Sequence, residues 1–368
     1  MRVLVVNAGS SSLKASVLDA DDTLLFERDL AVPDGGSLAP LLDDIVAEAP
    51  EVDAAGHRVV HGGVTHTAAL RLDRSNEAEL AALADLAPLH NPPSLAAIAR
   101  LRDLAPGLPQ VACFDTAFHA TLPPAASTFA VPAAWRHLGV RRFGFHGLSH
   151  AWASRRAAAV LGRPAASLRL VTAHLGAGAS LAAVDGGRSV DTTMGFTPLD
   201  GLVMATRAGS IDPGAVLWLV RRHGLGAAEV EETLTRRSGL LGLSGTSGDL
   251  RRVLADADGG DEAARLAVAV YVHRLRGAIA AMAAATGGTD ALVFTGGAGE
   301  HSARLRHDTC AQLGFLGVEL DPARNAAAGG GGPDAVVSTD GSAAAVVVVH
   351  AREDLEIAGQ VRALLAPA

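Results

Sequence analysis

Lysine is nearly missing from this chain: of its 31 basic residues, Lys14 alone is not arginine. Cysteine is scarce too. The two present, Cys113 and Cys310, exclude a disulfide framework and form no metal-binding pair. Long hydrophobic runs are absent, and apolar stretches such as 266–272 and 343–349 are too short to span a bilayer. No hydrophobic segment of signal-peptide length precedes the first polar turn. Positive charge is not in surplus, and a net charge of −8 argues against general affinity for nucleic acid or anionic membrane. These absences predict a soluble, cytoplasmic protein with neither kind of partner. They also mean that any phosphate site must be built locally, from arginines, Lys14 and a metal.

What is present is core. With 368 residues, 49% hydrophobic and 19% charged, the chain can bury the interiors of two ordinary domains. Its organising stretch is 3–18, a strand, the polar turn Asn7-Ala8-Gly9-Ser10-Ser11-Ser12 and a second strand carrying Lys14. The turn offers an amide, three hydroxyls and backbone N–H groups with little bulk in the way. Lysine serves well as a point charge against phosphate. The stretch reads as a phosphate cradle; the plainer reading is an ordinary hairpin with a leftover lysine.

Apolar periodicity predicts strands at 3–6, 13–18 and 24–30, a helix at 37–49, a strand at 54–60, helices at 76–86 and 94–104, and a strand at 109–114. The opening pattern then recurs in LVTAHLGAGASLAAV at 170–184, where Gly9 falls on Gly176, Ala15 on Ala182 and Asn7 on His174. A strand follows at 188–191, then helices at 213–223, 227–236 and 261–286, a strand at 291–295 and a helix from 299. A strand at 343–349 and a helix at 353–365 end the pattern, after a glycine-rich surface loop at 326–333. Two such series predict an α/β protein of two related domains with a cleft between them. Residues 1–120 with a C-terminal helix at 354–368 form one domain; 121–353 form the other, entered through the proline-rich 121–133.

Several short stretches combine charge with glycine. GHRVVHGG (56–63) holds Arg58 and His61, APLHNPP (87–93) holds His90, and CFDTAFH sets Asp115 at the end of an apolar strand. Open α/β sheets carry ligand groups at such ends. RRFGFHGLSH (141–150) offers arginines and histidines, MATRAGSIDPG (204–214) sets Arg207 and Asp212 about a turn, and TGGAGE (295–300) opens a helix after a strand. Close backbone approach at that helix suits a nucleotide. Singly, each has a plainer explanation: a lone histidine is commonly structural, Asp212 before a proline is a helix cap, and GGxGE lacks the lysine of a GxxxxGK[ST] loop. Their joint occurrence carries the weight.

Taken together, these motifs resemble the acetate kinase family, within the superfamily of acetate and sugar kinases, heat-shock chaperones and actin. The resemblance runs through NAGSSSLK (7–14), GHRVVHGG, APLHNPP, FDTAFH (114–119), FGFHGLSH (143–150) and HLGAGAS (174–180). It continues in DTTMGFTPLDGLVMATR (191–207), SGLLGLSGTSGDLR (238–251), GGAGE (296–300) and REDLEIA (352–358). It implies two actin-like (ribonuclease H-like) domains with a duplicated βββαβαβα core and an interdomain active-site cleft. The implied activity is reversible, Mg²⁺-dependent transfer of the ATP γ-phosphoryl group to acetate, giving acetyl phosphate and ADP; Mn²⁺ is an alternative metal. A propionate or other short-chain acyl kinase, or a pyrophosphate-using variant, stands as the alternative.

By that resemblance Asn7 and Glu353 are metal-site residues and Lys14 an ATP contact. Asp115, His146, Arg207, Arg58 and His90 are the catalytic group. His174, Leu175, Gly176, Ala177 and Gly178 form one ATP-binding segment, Asp249, Leu250 and Arg251 a second, and Gly297, Ala298, Gly299, Glu300 and His301 a third. Arg58, with Val60, Leu89, Phe145 and Pro198, receives the acyl substrate. The family also implies a homodimer joined through the second domain. The chain departs from the family pattern at Ala177, where HLGNG carries asparagine, at His301, where GGIGEN does, and at Ser210, where aspartate is usual. These departures bear on the phosphoryl donor more than on the carboxylate chemistry.

Overall fold

The computed structural model describes residues 1–9, 12–32, 36–87, 90–328 and 332–366. Ser10, Ser11 and Leu89 therefore lie outside the described residues, as do 329–331 of the glycine tract. The chain forms two compact units. One comprises Met1–Ala120, Phe145–Trp152 and Arg352–Ala368; the other comprises Thr121–Gly144 and Ala153–Ala351.

The first unit is built on one sheet of six strands: β1 (Val3–Ala8), β2 (Ser12–Leu18), β3 (Leu24–Ala31), β4 (Ala54–Val59), β5 (Leu70–Arg71) and β6 (Gln110–Phe114). Their order is β3-β2-β1-β4-β6-β5. The antiparallel meander β1–β3 continues into parallel β4 and β6, and β5 closes the far edge antiparallel. Central β1 is apolar on both faces, as a strand covered on both sides must be. Leu4 and Val6 join Leu13, Leu42, Ile45 and Leu101 under helices Ala39–Glu48 and Asn91–Leu104. Val3 and Val5 join Leu18, Ile357 and Val361 under helix Glu353–Leu365.

Gly56 on β4 permits that last packing. A Cβ there would lie 2.5 Å from Ile357 Cγ2 and 2.7 Å from Val361 Cγ2. The helix thus seats directly on the strand, and its first residue, Glu353, comes beside Arg58, which shares Gly56's face two residues on.

The second unit repeats the plan with β7 (Arg169–Leu175), β8 (Ala179–Asp185), β9 (Arg188–Thr192), β10 (Ala291–Thr295), β11 (Ala335–Val336) and β12 (Ala345–Val348). The order β11-β12-β10-β7-β8-β9 is that of the first sheet read from its other edge, with the same parallel and antiparallel senses. The repeat foreseen from Gly9 and Gly176 is therefore a repeat of topology. Helix Glu262–Ala285 is long and apolar enough to cross a membrane, with a mean hydropathy of 1.3 over its most apolar 18-residue stretch. It packs against β7, β8 and β9 and buries Val268, Tyr271, Leu275 and Ile279.

Candidate active site

In the first unit, three parallel strands end close together and each delivers a polar side chain: Asn7 from β1, Arg58 from β4 and Asp115 just beyond β6. Arg58 is the hub. Its Nη2 donates to Asp115 Oδ2 at 2.6 Å, and its Nε lies 3.1 and 3.2 Å from the two carboxylate oxygens. Nη1 donates to Asn7 Oδ1 at 3.3 Å, and Glu353 Oε2 stands 3.8 Å from Nε. The Asp115 side chain is 1% exposed, against 20% for Arg58 and 19% for Glu353, so Asp115 is the most deeply buried of the three.

Electrostatics follow from this crowding. Burial opposes the Arg58 charge, but Asp115 and Glu353 outweigh it and hold the guanidinium protonated. Burial pushes the Glu353 carboxyl above the usual carboxylate range; Arg58 pulls it back, while Asp115 and Asp354 push the same way as burial. Such a carboxylate gains from a cation. Asn7 and Glu353 both present oxygen donors to the space around Arg58, the donor chemistry that suits Mg²⁺. Two donors fit a metal that keeps waters and phosphate oxygens as its other ligands.

Around this hub the local fold is fixed by backbone contacts. Asp115 N–H donates to Val59 C=O at 3.0 Å, and Thr116 Oγ1 accepts from Gly62 N–H at 3.2 Å. Asn91, fully buried, grips His61 from both sides: its Oδ1 accepts from His61 N–H and its Nδ2 donates to His61 C=O, each at 3.1 Å. His61 Nδ1 accepts from Gly63 N–H at 2.9 Å, so its proton is on Nε2, and burial lowers its pKa to about 4. The His61 ring meets Phe145 edge-on at 5.5 Å, near buried Val60. His90 is the N-cap residue of helix Asn91–Leu104, and Ser94 of that helix donates to Ala8 C=O at 3.3 Å.

His146 has a φ of +56° and is followed by Gly147, whose N–H donates to Asp115 C=O at 2.8 Å. Lys14 forms its ion pair outside the Arg58 cluster, though its charge also acts on Glu353. It lies across the hairpin from Asn7 and pairs with Asp29 at 2.8 Å, both side chains 58% exposed. So exposed a pair contributes little and is readily exchanged for another anion.

The second unit brings the three expected nucleotide segments to one region. His174, next to last in β7, is in register with Thr295 of β10, so the turn 174–178 and the segment 296–301 are neighbours. Gly296 has a φ of +77°, and a Cβ there would come within 3.0 Å of the Leu175 backbone. Ala177 C=O accepts from Ala205 N–H at 3.0 Å, and a Cβ on Gly248 would lie 2.7 Å from Ala205 C=O, which brings the segment at Asp249 alongside. Asp249 caps helix Leu250–Asp258 and pairs with Arg251 at 2.7 Å. Arg207 Nη1 donates to Pro198 C=O at 3.2 Å, and Asp212 caps helix Pro213–His223 through Gly214 N–H at 2.8 Å. The Ser210 hydroxyl donates to Asp200 Oδ1 at 2.6 Å.

Glu300 turns its carboxylate to the protein itself: Oε1 accepts from Gly296 N–H at 2.8 Å and Ala351 N–H at 2.9 Å. It shapes the loop, with fully buried Arg306 donating to Gly299 and Glu300 carbonyls from beneath. Among neighbouring residues, Asn91, Thr116 and His119 escaped the sequence reading. The available signal was their place beside His90 and within FDTAFH.

The acetokinase family model matches residues 37–359. The acetate kinase of Synechococcus sp. (strain JA-2-3B'a(2-13)) is 45% identical over 365 residues, covering 89% of this chain and 90% of that protein. The crystal structure of Porphyromonas gingivalis acetate kinase superposes with a TM-score of 0.91 at 35% identity, covering 99% of both chains. That of a propionate kinase from Francisella tularensis does so with 0.89 at 34%, covering 98% of both. With the fold, the motif order and the length of the match all agreeing, the chain belongs to the acetokinase family.

Proposed function

We propose that this protein is an acetate kinase, transferring the γ-phosphoryl group of ATP reversibly to acetate with Mg²⁺ as the metal. The observation that carries the reading is Arg58, bonded at once to Asp115 and Asn7 beside Glu353, at the carboxyl ends of three parallel strands.

Acetate is ionised at neutral pH, so its oxygen attacks the γ-phosphorus without a base. The bond to the β–γ bridging oxygen breaks, and ADP leaves with its electron pair. Acetate and ATP carry the same total charge as acetyl phosphate and ADP, so no proton need move. The difficulty is holding anions in line while charge spreads over the phosphoryl oxygens. Arg58, whose side chain is partly exposed, receives the carboxylate, and Asp115 fixes the guanidinium plane. Arg207 and His146 supply further positive or donor groups to the phosphoryl oxygens; one arginine in such a reaction contributes roughly 10³–10⁵ in rate. Asn7 and Glu353 would hold Mg²⁺ (or Mn²⁺), which when bound neutralises phosphate charge. Lys14 exchanges Asp29 for a phosphate oxygen, and the glycine turns 174–178 and 296–299 admit the nucleotide close to backbone N–H groups.

Val60 and Phe145, both buried, favour a short acyl group. Propionate is the second reading, since a propionate kinase shares the fold and one methylene alters binding by only about 1–3 kcal/mol. A homodimer through the second unit is supported by helix Pro213–His223, which buries no residue and leaves Leu217 57% and Trp218 52% exposed. Two free, buried cysteines suit the cytoplasm. Phosphorus NMR of protein, ATP, Mg²⁺ and acetate tests the reaction: an acyl phosphate resonance is expected, and ATP loss without it overturns the proposal.

A further inference from the structure

His146 holds a left-handed backbone, which among the described non-glycine residues only Asp22 shares. A residue with a Cβ keeps that conformation only where its surroundings over-determine it. Here they do so from both sides. Ahead of it, Phe145 C=O accepts from His119 Nε2 at 3.0 Å. Behind it, Gly147 N–H donates to Asp115 C=O at 2.8 Å, and a Cβ on Gly147 would lie 2.2 Å from that oxygen. Both anchors come from the stretch 115–119, whose first residue also binds Arg58.

A carbonyl has no hydrogen to give, so the His119 proton is on Nε2. The ring is 1% exposed, and burial lowers its pKa to about 4, which keeps it neutral at working pH. It is wedged edge-on between Phe118 and His150, at 5.6 Å from each ring.

We propose that His119 is a positioning residue for phosphoryl transfer: by donating its Nε2–H to Phe145 C=O, it holds His146 in the strained conformation from which the imidazole acts. This rests on the role of His146 proposed above. FDTAFH is then one device, with Asp115 setting the Arg58 plane and His119 setting His146.

A double-mutant cycle tests it. His119→Leu removes the donor at similar volume, and loss of one hydrogen bond to a reacting group's support predicts a fall in kcat of about ten-fold, with KM for ATP and acetate little changed. His119→Gln, which can still offer an N–H, should recover much of the loss. In a His146→Ala background, His119→Leu should lower kcat no further. If the two effects instead multiply, or if His119→Leu is silent while His146→Ala is not, the inference is overturned and the role of His146 stands. If His146→Ala itself leaves kcat unchanged, the role of His146 falls and the inference with it. Should His119→Leu not fold, His119→Asn, too short to reach the carbonyl, takes its place in the cycle with the same expectations.

Discussion

Replacing Arg58 by leucine should damage catalysis and folding together, and a second substitution should separate the two. Arg58 makes three approaches of 2.6, 3.1 and 3.2 Å to the Asp115 carboxylate, which is 1% exposed. Its removal strands that carboxylate and takes from Glu353 the cation that acts on it most strongly. Breaking one partner of a buried pair costs roughly 3–5 kcal/mol. At about 2–4 °C per kcal/mol, the thermal midpoint should drop on the order of 10 °C. Loss of one charge-stabilising donor predicts a fall in kcat/KM of at least about 10²-fold, near 2.7 kcal/mol at the transition state. Adding Asp115→Asn to Arg58→Leu removes the stranded charge and should restore most of the midpoint without restoring activity. Calorimetry and acetyl phosphate formation measure the two effects. A double variant as unstable as Arg58→Leu, or Arg58→Leu with near-normal turnover, would refute the reasoning.

Lys14→Met should raise KM for ATP much more than KM for acetate, because the ion pair it breaks with Asp29 is exposed and contributes little to the fold; equal effects in steady-state kinetics would count against a phosphate contact. Buried His57 has its pKa lowered to about 4, chiefly by burial, so it stays neutral when folded and takes a proton more readily when unfolded. Its contribution to stability is present above about pH 6.5 and is lost as pH falls from there toward 4, by up to roughly 3 kcal/mol. In urea titrations across that window, His57→Gln should show a shallower loss than the parent, and an unchanged slope would reject the assignment. Ala177 is exposed at the tip of its turn, with space for a longer side chain. Ala177→Asn should therefore lower KM for ATP or raise kcat by about ten-fold while leaving KM for acetate nearly alone, the amide adding one hydrogen bond to an anionic oxygen; unimproved ATP kinetics would direct attention to pyrophosphate as donor.

Much of this fold is legible in the sequence because its signals are local. The fully apolar run at Val3–Val6, the turn after it and its echo at 170–184 mark β1, β2, β7 and β8 without knowledge of any partner. Helix Leu250–Asp258 was not foreseen, although Asp249 is an N-cap and the helix buries Leu250, Val253 and Ala257; two arginines and two aspartates among nine residues mask that face. Site residues at strand ends, Asn7, Arg58 and Asp115, were legible because parallel strands place their carboxyl ends together. The supports were not. That His119 reaches Phe145, that Asn91 clasps His61, and that Glu300 spends its carboxylate on backbone N–H groups all depend on contacts between residues distant in sequence. The same holds for Lys14, whose partner Asp29 is set by the register of β2 on β3.

The central claim is carboxylate phosphorylation by ATP, and hydroxylamine trapping measures it most directly. Purified protein with ATP and Mg²⁺ should form acyl hydroxamate from acetate, at a higher kcat/KM than from propionate or butyrate, and none when ATP is omitted. Hydroxamate no higher than an enzyme-free control with all three acids, from protein shown to be folded, would contradict the account.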